Sequence, residues 1–278
     1  MNRLTVTLID VGWGDSIFIE SFDDNGQAHY GLIDSNDTTY QKSSYIFLKK
    51  FFERKRIKIP DDKPIFDFVM LSHPHSDHGQ GLKNLMIEFG TNYFFYPKSL
   101  EWSALATLLR FSSRSGNVKH AEAVNSTKIL DNLGNTAISI LWPHYGNVPD
   151  DNQNNNSIIL KLELGNVSML LTGDAEKEVW ENIKNDIPSN LKVFKVPHHG
   201  SVNGAFDDHG NPCWLNSIPN NTNLCISSHI RPFNHPHQSV VDLIEEYSYK
   251  YYRTDRHYHV SFSTDGTDIR IKYSHFSD

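Results

Sequence analysis

Within the nine residues Leu71-Ser72-His73-Pro74-His75-Ser76-Asp77-His78-Gly79, the chain carries three imidazoles and a carboxylate in six positions. Neutral imidazole nitrogens and carboxylate oxygens are the borderline ligands that suit zinc, manganese or iron, and such a cluster is poorly placed in a protein interior without an ion to satisfy it. The bland alternative is a polar surface loop with no partner. A lone HxH would leave that alternative open, but the HxHxDH spacing is far more specific. One short loop cannot complete the shell of two ions, so other parts of the chain must supply the remaining ligands.

The flanking sequence shows how such a loop is held. Ile65 to Leu71 is an apolar-rich run of strand length that delivers the histidines at its carboxyl end, and Leu82 to Phe89 has helical spacing. Before it, Leu4 to Leu8 alternates as a half-buried strand, Ile17 to Ile19 resumes one after a turn with two glycines, and Ala28 to Ile33 forms a third, ending at Asp34. Three early strands in a meander predict a mixed or antiparallel sheet. Tyr40 to Arg56 reads as a helix whose basic residues gather toward its end, where they favour the macrodipole.

Further strands are expected at Tyr93 to Tyr96, within Val118 to Leu141, at Ser157 to Leu164, Val167 to Leu171, Leu191 to Val196, Leu224 to Ser227, Tyr258 to Phe262 and Asp268 to Tyr273. Helices are expected at Trp102 to Arg110, Ala175 to Ile183 and Ser239 to Glu246, and Asn147 to Asn156 reads as an exposed polar loop. No low-complexity linker or short-period repeat divides the 278 residues, which predicts one domain over residues 1–278 with two packed sheets and helices outside.

The bulk numbers exclude little more. Hydrophobic residues at 38% against 21% charged give a globular balance, and no apolar run reaches the roughly 20 residues that span a bilayer. A soluble, cytoplasmic protein without membrane contact is the default expectation. Cys213 and Cys225 match neither a redox pair nor a zinc ribbon and are read as reduced. The net charge of −7 argues against a broad basic surface for long nucleic acid, although Lys49 to Lys58, Arg231, Arg253 and Arg256 leave room for a local positive rim.

Two later strand ends also carry ligand-type residues: Asp174, after Val167 to Leu171, and the pair His198 and His199, after Leu191 to Val196. With the HxHxDH loop, these segments resemble the metallo-β-lactamase superfamily. More narrowly, DVGWGDS at 10–16, LID at 32–34, LTGDAE at 171–176 and VPHHGS at 196–201 look like the hydrolase domain of ComEC/Rec2-type competence proteins and their soluble relatives. The resemblance runs from about residue 4 to residue 240. It implies an α/β (α+β) fold, a four-layer αββα sandwich of two mixed sheets with outer helices.

The resemblance also implies two divalent ions, Zn²⁺ or Mn²⁺. His73 and His75 would hold the first, Asp77 and His78 the second, Asp174 would bridge, and His198 is the preferred completion of the second site. Asp34 would support the metal loop, and Asp15 with the glycines around Trp13 would line the mouth. A further first-site histidine is common in the superfamily, and His144 is the nearest candidate. Trp13 stands where the competence-type turn has glutamine, and His235 and His237 match a GHPH-like turn with Asn234 for glycine.

Two such ions lower the pKa of a shared water, place the hydroxide and withdraw charge from the reacting centre, which is hydrolysis without a covalent intermediate. Asp77, His199 and His235 are the expected catalytic groups, with the histidine of the 198–199 pair not bound to metal as general acid. A phosphodiester in a nucleic acid or nucleotide is the favoured substrate. The rivals are a lactone or amide hydrolase of the same fold and a non-catalytic metal-binding partner protein. A redox di-iron role is disfavoured, since position 75 is histidine where that subclass carries an acidic residue. Protein partners and oligomeric state are not addressed by these motifs.

Overall fold

Leu4, Val6 and Leu8 point one way from the first strand while Thr5 and Thr7 point the other, and this alternation decides which face meets a second sheet. The computed structural model describes every residue except Met1, Pro60, Leu100, Glu101, Ser103, Ala104, Val148 and residues 275–278. The expected helix at Trp102 to Arg110 lies partly outside the described residues and is seen over Ala106–Ser112.

Fourteen strands among the described residues form two sheets. The first contains β1 (Leu4–Leu8), β2 (Ile17–Phe22), β3 (Ala28–Ile33), β4 (Phe66–Met70), β5 (Thr91–Pro97), β6 (Val118–Val124), β13 (Val260–Thr264) and β14 (Ile269–Tyr273), in the order β14-β13-β1-β2-β3-β4-β5-β6. The second contains β7 (Ala137–Trp142), β8 (Ile159–Leu164), β9 (Val167–Leu171), β10 (Leu191–Lys195), β11 (Asn223–Ile226) and β12 (Tyr251–Arg253), in the order β12-β11-β10-β9-β8-β7. Both sheets are mixed: β3 to β6 run parallel, as do β9 to β12, and the remaining pairs are antiparallel.

Leu4, Val6, Leu8, Ile17, Ile19 and Phe262 of the first sheet pack against Leu160, Leu162, Met169, Leu171 and Val193 of the second. Outside the first sheet, Leu48 and Phe52 of the helix Ser43–Arg54 and Leu85, Met86 and Phe89 of the helix Leu82–Phe89 cover Phe18, Leu32 and Phe66. Outside the second, Trp180 and Ile183 of Lys177–Ile183 and Val240 and Ile244 of Gln238–Glu246 cover Phe194, Leu224 and Ile226. The result is the expected αββα sandwich with mixed sheets. No helix among the described residues is long and apolar enough to cross a membrane.

The parallel strands matter most for function. Asp34 follows β3, the histidine loop follows β4, Asp174 follows β9 and the 198–199 pair follows β10. In parallel sheets such loops gather at the carboxyl ends of the strands, where ligand sites form. At the opposite pole the sheets are tied by backbone: Asn166 donates to the Gly266 carbonyl at 2.8 Å and Asn135 to that of Phe22 at 2.9 Å. A Cβ at Gly165 would come within 2.6 Å of the Gly266 oxygen, so only glycine fits that crossing.

One expectation fails in this description. The 147–156 segment is not simply an exposed loop, because Gln153, Asn155 and Asn156 are buried and their amides are spent on specific partners. Asn155 accepts from the Glu176 backbone through Oδ1 at 3.2 Å and donates to Glu178 at 3.0 Å, while its carbonyl accepts from the Trp142 indole at 2.7 Å. Cys213 is partly buried and Cys225 fully buried, and they are not joined.

Candidate metal centre

Asp34 is the anchor of the first ligand loop. It is fully buried, and its carboxylate accepts from the Ser72 backbone at 2.7 Å, from the Ser72 hydroxyl at 2.6 Å and from His78 Nδ1 at 2.7 Å. Donating through Nδ1 leaves the Nε2 lone pair of His78 facing inward, the usual way a carboxylate orients an imidazole ligand. The loop also packs tightly on the glycine turn before β2. Gly14 has φ +94°, and a Cβ there would fall 2.3 Å from the Asp77 carbonyl oxygen.

Four groups converge. One donor atom each from Asp77, His78, Asp174 and His199 lies within 4.8 Å of all the others. His78 Nε2 stands 3.2 Å and His199 Nε2 3.3 Å from Asp174 Oδ2, and Asp77 Oδ2 stands 3.7 and 3.6 Å from the same two nitrogens. Ligands bound at roughly 2.0–2.2 Å to one tetrahedral ion lie about 3–4 Å from one another, so this spacing fits a cation. His78 Nε2, His199 Nε2 and Asp174 Oδ1 are buried without a hydrogen-bond partner among the described residues, which an ion would remedy.

A second group adjoins the first through the same aspartate. His73 Nε2 and His75 Nδ1 are 3.0 Å apart, and His73 Nε2 and His198 Nε2 each lie 3.9 Å from Asp174 Oδ2. Asp174 therefore stands between two sets of imidazoles, as a bridging ligand would. Its backbone N–H donates to the Ser157 hydroxyl at 3.0 Å.

The 198–199 pair reverses its expected assignment. His199, not His198, joins Asp77 and His78, while His198 lies on the His73 side with its Nδ1 3.0 Å from Glu176 Oε1. The cause is the backbone: both residues have positive φ, 49° and 54°, so the side-chain directions of an ordinary strand exit do not apply. His199 Nδ1 donates to the Ser227 carbonyl at 3.0 Å, which commits its Nε2 to the cluster and removes it as a free general acid. Glu176 is held in turn by the side-chain amides of Asn152 and Asn154, both at 2.8 Å.

His144 is not brought to the cluster. It packs edge-on against Trp142, its Nε2 faces Asp186 at 4.0 Å, and it lines a different cavity beside Tyr145 and Glu178. The Trp142 indole bond to Asn155 fixes the end of β7, and the chain turns outward after Pro143. Asp15 is likewise not at the mouth but 1% exposed beneath the cluster, where Lys195 Nζ meets its Oδ2 at 2.8 Å and the Gly173 carbonyl at 3.1 Å. Sequence reasoning missed Lys195, the last residue of β10 and three positions before His198; Lys192 in the same strand is only partly buried, so the letter alone did not mark it. Arg253 is also removed from any positive rim, being buried and paired with Asp255 at 2.6 Å.

Electrostatics follow from this crowding. Burial alone would raise Asp174, yet His199, His78 and His198 hold it well below the usual carboxylate range. For His199, burial would lower the imidazole, but Asp174, Asp77 and Asp15 hold it up at about 10. His78 is raised in the same way, by Asp174, Asp77 and Asp34 acting against burial. His73 is pushed well down by burial and by His78. His235 lies 6.4 Å from His199 between ring centroids, and burial with His199 and His198 pushes it down to about 4.

The cluster opens into a cavity of about 510 Å³ lined by Trp13, His75, Asp77, Gln153, Asn154, Asp174, His198, His199, Phe233 and His235. It is thus an open donor set at the floor of a cleft.

Known structures share this arrangement of layers. The metallo-β-lactamase fold protein YhfI from Bacillus subtilis aligns with a TM-score of 0.57 at 13% identity, over 95% of this chain and 100% of that one. The chain has the metallo-β-lactamase fold. CmlA, a diiron β-hydroxylase from Streptomyces venezuelae, aligns with a TM-score of 0.54 at 14% identity, over 94% of this chain and 54% of its own. The metallo-β-lactamase fold therefore does not by itself choose between hydrolysis and other metal chemistry. In sequence, the chain is 28% identical over 260 residues to ComE operon protein 3 of Bacillus subtilis (strain 168). That match covers 90% of this chain but spans only about a third (32%) of the relative. No family model matches the chain.

Proposed function

We propose that this chain is a hydrolase of phosphodiesters that works with two divalent ions, Zn²⁺ or Mn²⁺. The observation that carries the reading is the shared position of Asp174 between two imidazole groups, with a cleft above it. A closed structural site needs only four ligands, whereas seven donor side chains gather here and five of them line the cleft. His73, His75 and His198 would hold one ion, Asp77, His78 and His199 the other, with Asp174 between them. Bound there, the ions supply Lewis acidity and make a shared water acidic. The likeness to ComE operon protein 3, together with the competence-type motifs, favours a phosphodiester over a lactone or amide.

The chain's own groups then do three things. Asp34 and the Ser227 carbonyl hydrogen-bond the imidazoles of His78 and His199 with their Nε2 atoms inward, and the Glu176 carboxylate stands 3.0 Å behind Nδ1 of His198. Asp15 and Lys195 form a neutralised pair under the floor, so that the cluster does not sit on a bare buried charge. His235, neutral at pH 7, lines the cleft and would bond a substrate oxygen as it enters. It takes the substrate-contacting role that His199 cannot.

The test is hydrolysis of bis(p-nitrophenyl) phosphate by chelator-stripped protein after addition of Mn²⁺ or Zn²⁺, with metal counted per chain. The expected result is two ions per chain and turnover abolished by His75→Ala but unaffected by His144→Ala. Wild-type and His75→Ala proteins that are equally inert toward phosphodiesters would sink the proposal, and turnover of lactones alone would replace it.

A further inference from the structure

An aromatic ledge stands at the lip of the metal-centre cleft. Trp13 and Phe233 meet edge to face with ring centroids 5.7 Å apart, and Phe233 continues to His235 at 6.1 Å, which in turn lies over His199 at 6.4 Å. All four side chains line the same cavity. Phe233 is 62% exposed, with its ring on the cleft. An edge-to-face pair engages one ring only by its edge, so that ring's faces remain open to another flat group.

The ledge is held in place rather than loosely draped. The Asn36 side-chain amide donates to the Trp13 carbonyl, and Gln80 in turn donates to Asn36. On the other side, Asn234 adopts φ +59° and its N–H bonds the Ile230 carbonyl at 2.7 Å, turning the chain so that Phe233 and His235 share one side. Outside the metal donor set, two buried polar atoms of residues lining the same cavity lack partners among the described residues: Asn154 Oδ1 and His235 Nδ1. No lysine or arginine is among the described residues lining the cleft.

We propose that Trp13 and Phe233 form a subsite for a nucleobase of the substrate, stacked one ring beyond His235 from the ions, with Asn154 and His235 available to its polar edge. This deepens the phosphodiesterase reading and rests on it for the identity of the ring. Open aromatic faces beside neutral hydrogen-bonding groups suit a flat heterocycle, because every base offers a π face while its edge needs polar partners. A long polyanion would instead be gripped by cations along its backbone, which the cleft does not offer. The substrate so selected is a nucleotide or the end of a single strand, not a duplex.

The experiment is calorimetric titration of the zinc-loaded protein with AMP and, separately, with ribose 5-phosphate, which keeps the phosphate and sugar but lacks the ring. AMP should bind about ten-fold or more tightly than ribose 5-phosphate, the size of one base–aromatic stack. Trp13→Ala and Phe233→Ala should each erase most of that advantage and leave ribose 5-phosphate unchanged. Trp13→Phe should restore it, whereas Phe233→Leu, apolar but without a π face, should not. Equal binding of the two ligands by the wild type overturns the subsite, as does an equal weakening of both ligands by the alanine variants. A dinucleotide and its abasic counterpart, both inert while the AMP advantage persists, would remove the phosphodiesterase reading and leave the subsite standing.

Discussion

Asp34 and Glu176 do corresponding work on the two sheets, each lying behind an imidazole that faces Asp174, but they are held by different kinds of partner. Asp34 is fully buried and bonds His78 and both donors of Ser72, so the carboxylate and the loop it holds follow the neighbouring strands β3 and β4. Glu176 meets His198 near the cleft and depends on amides borrowed from the 152–154 turn, some two dozen residues upstream. The first support is a property of one sheet's hydrogen-bond ladder. The second is assembled across a loop, and so should be easier to perturb without unfolding the protein.

The largest effect that would test this contrast is Asp34→Ala. It strands the Ser72 N–H in the interior and leaves the Ser72 hydroxyl and His78 Nδ1 only each other and His73 Nδ1, and a buried donor left unsatisfied costs about 1–3 kcal/mol. Denaturant unfolding should therefore show a loss of about 1–3 kcal/mol or more together with loss of bound metal, and an Asp34→Ala protein of wild-type stability would refute the anchoring role. Next comes Glu176→Gln, which keeps the shape but removes the charge behind His198. Removing such an outer partner typically weakens metal binding by about 10- to 100-fold. Competition with a metallochromic chelator should register that loss for one of two ions, with the unfolding midpoint of the metal-free protein nearly unchanged; an equal loss at both sites would mean the two supports are not independent.

A third effect is in pH. His199 titrates at about 10 in the folded metal-free chain against an ordinary 6.5, because Asp174, Asp77 and Asp15 overcome the opposing effect of burial. A raised folded-state pKa stabilises below the unfolded value, so this contribution is complete below about pH 6.5 and disappears as pH rises through 10. An ion competes with that proton for the same nitrogen, so metal affinity should rise over the same interval. Melting temperatures of metal-free wild type should fall between pH 6.5 and 9.5 more than those of His199→Asn. Parallel slopes for the two proteins would show that the proton is held elsewhere, on the His78 side of the comparison.

How much of this could be read from sequence follows from distance along the chain. The HxHxDH loop and its strand were legible because six neighbouring residues carry the whole signal, and Asp174 and the histidine pair because each closes an apolar strand. The choice between His198 and His199 was not legible, since it turns on two successive left-handed residues, and side-chain direction there is a tertiary outcome. Asp15 and Lys195 stand 180 positions apart, and only the folded sheets reveal them as a pair. The asparagine-rich segment misled for a different reason: a buried, fully bonded amide and a solvated one are the same letter. His144 had the right chemistry and a plausible spacing, but the turn after Trp142 carries it to another face.

The crossings of Asn166 on Gly266 and of Asn135 on Phe22 close the sandwich at the pole farthest from the ligands. The donor set, by contrast, is split between the layers, with His73, His75, Asp77 and His78 on one and Asp174, His198 and His199 on the other. At the ligand pole the layers are already joined by the Ile158 N–H to the Ser72 carbonyl at 2.9 Å and by Lys195 to Asp15 at 2.8 Å, so the ligands sit on an existing seam. The ions would add a further rivet to it, and their uptake would stiffen the sandwich as well as arm its cleft.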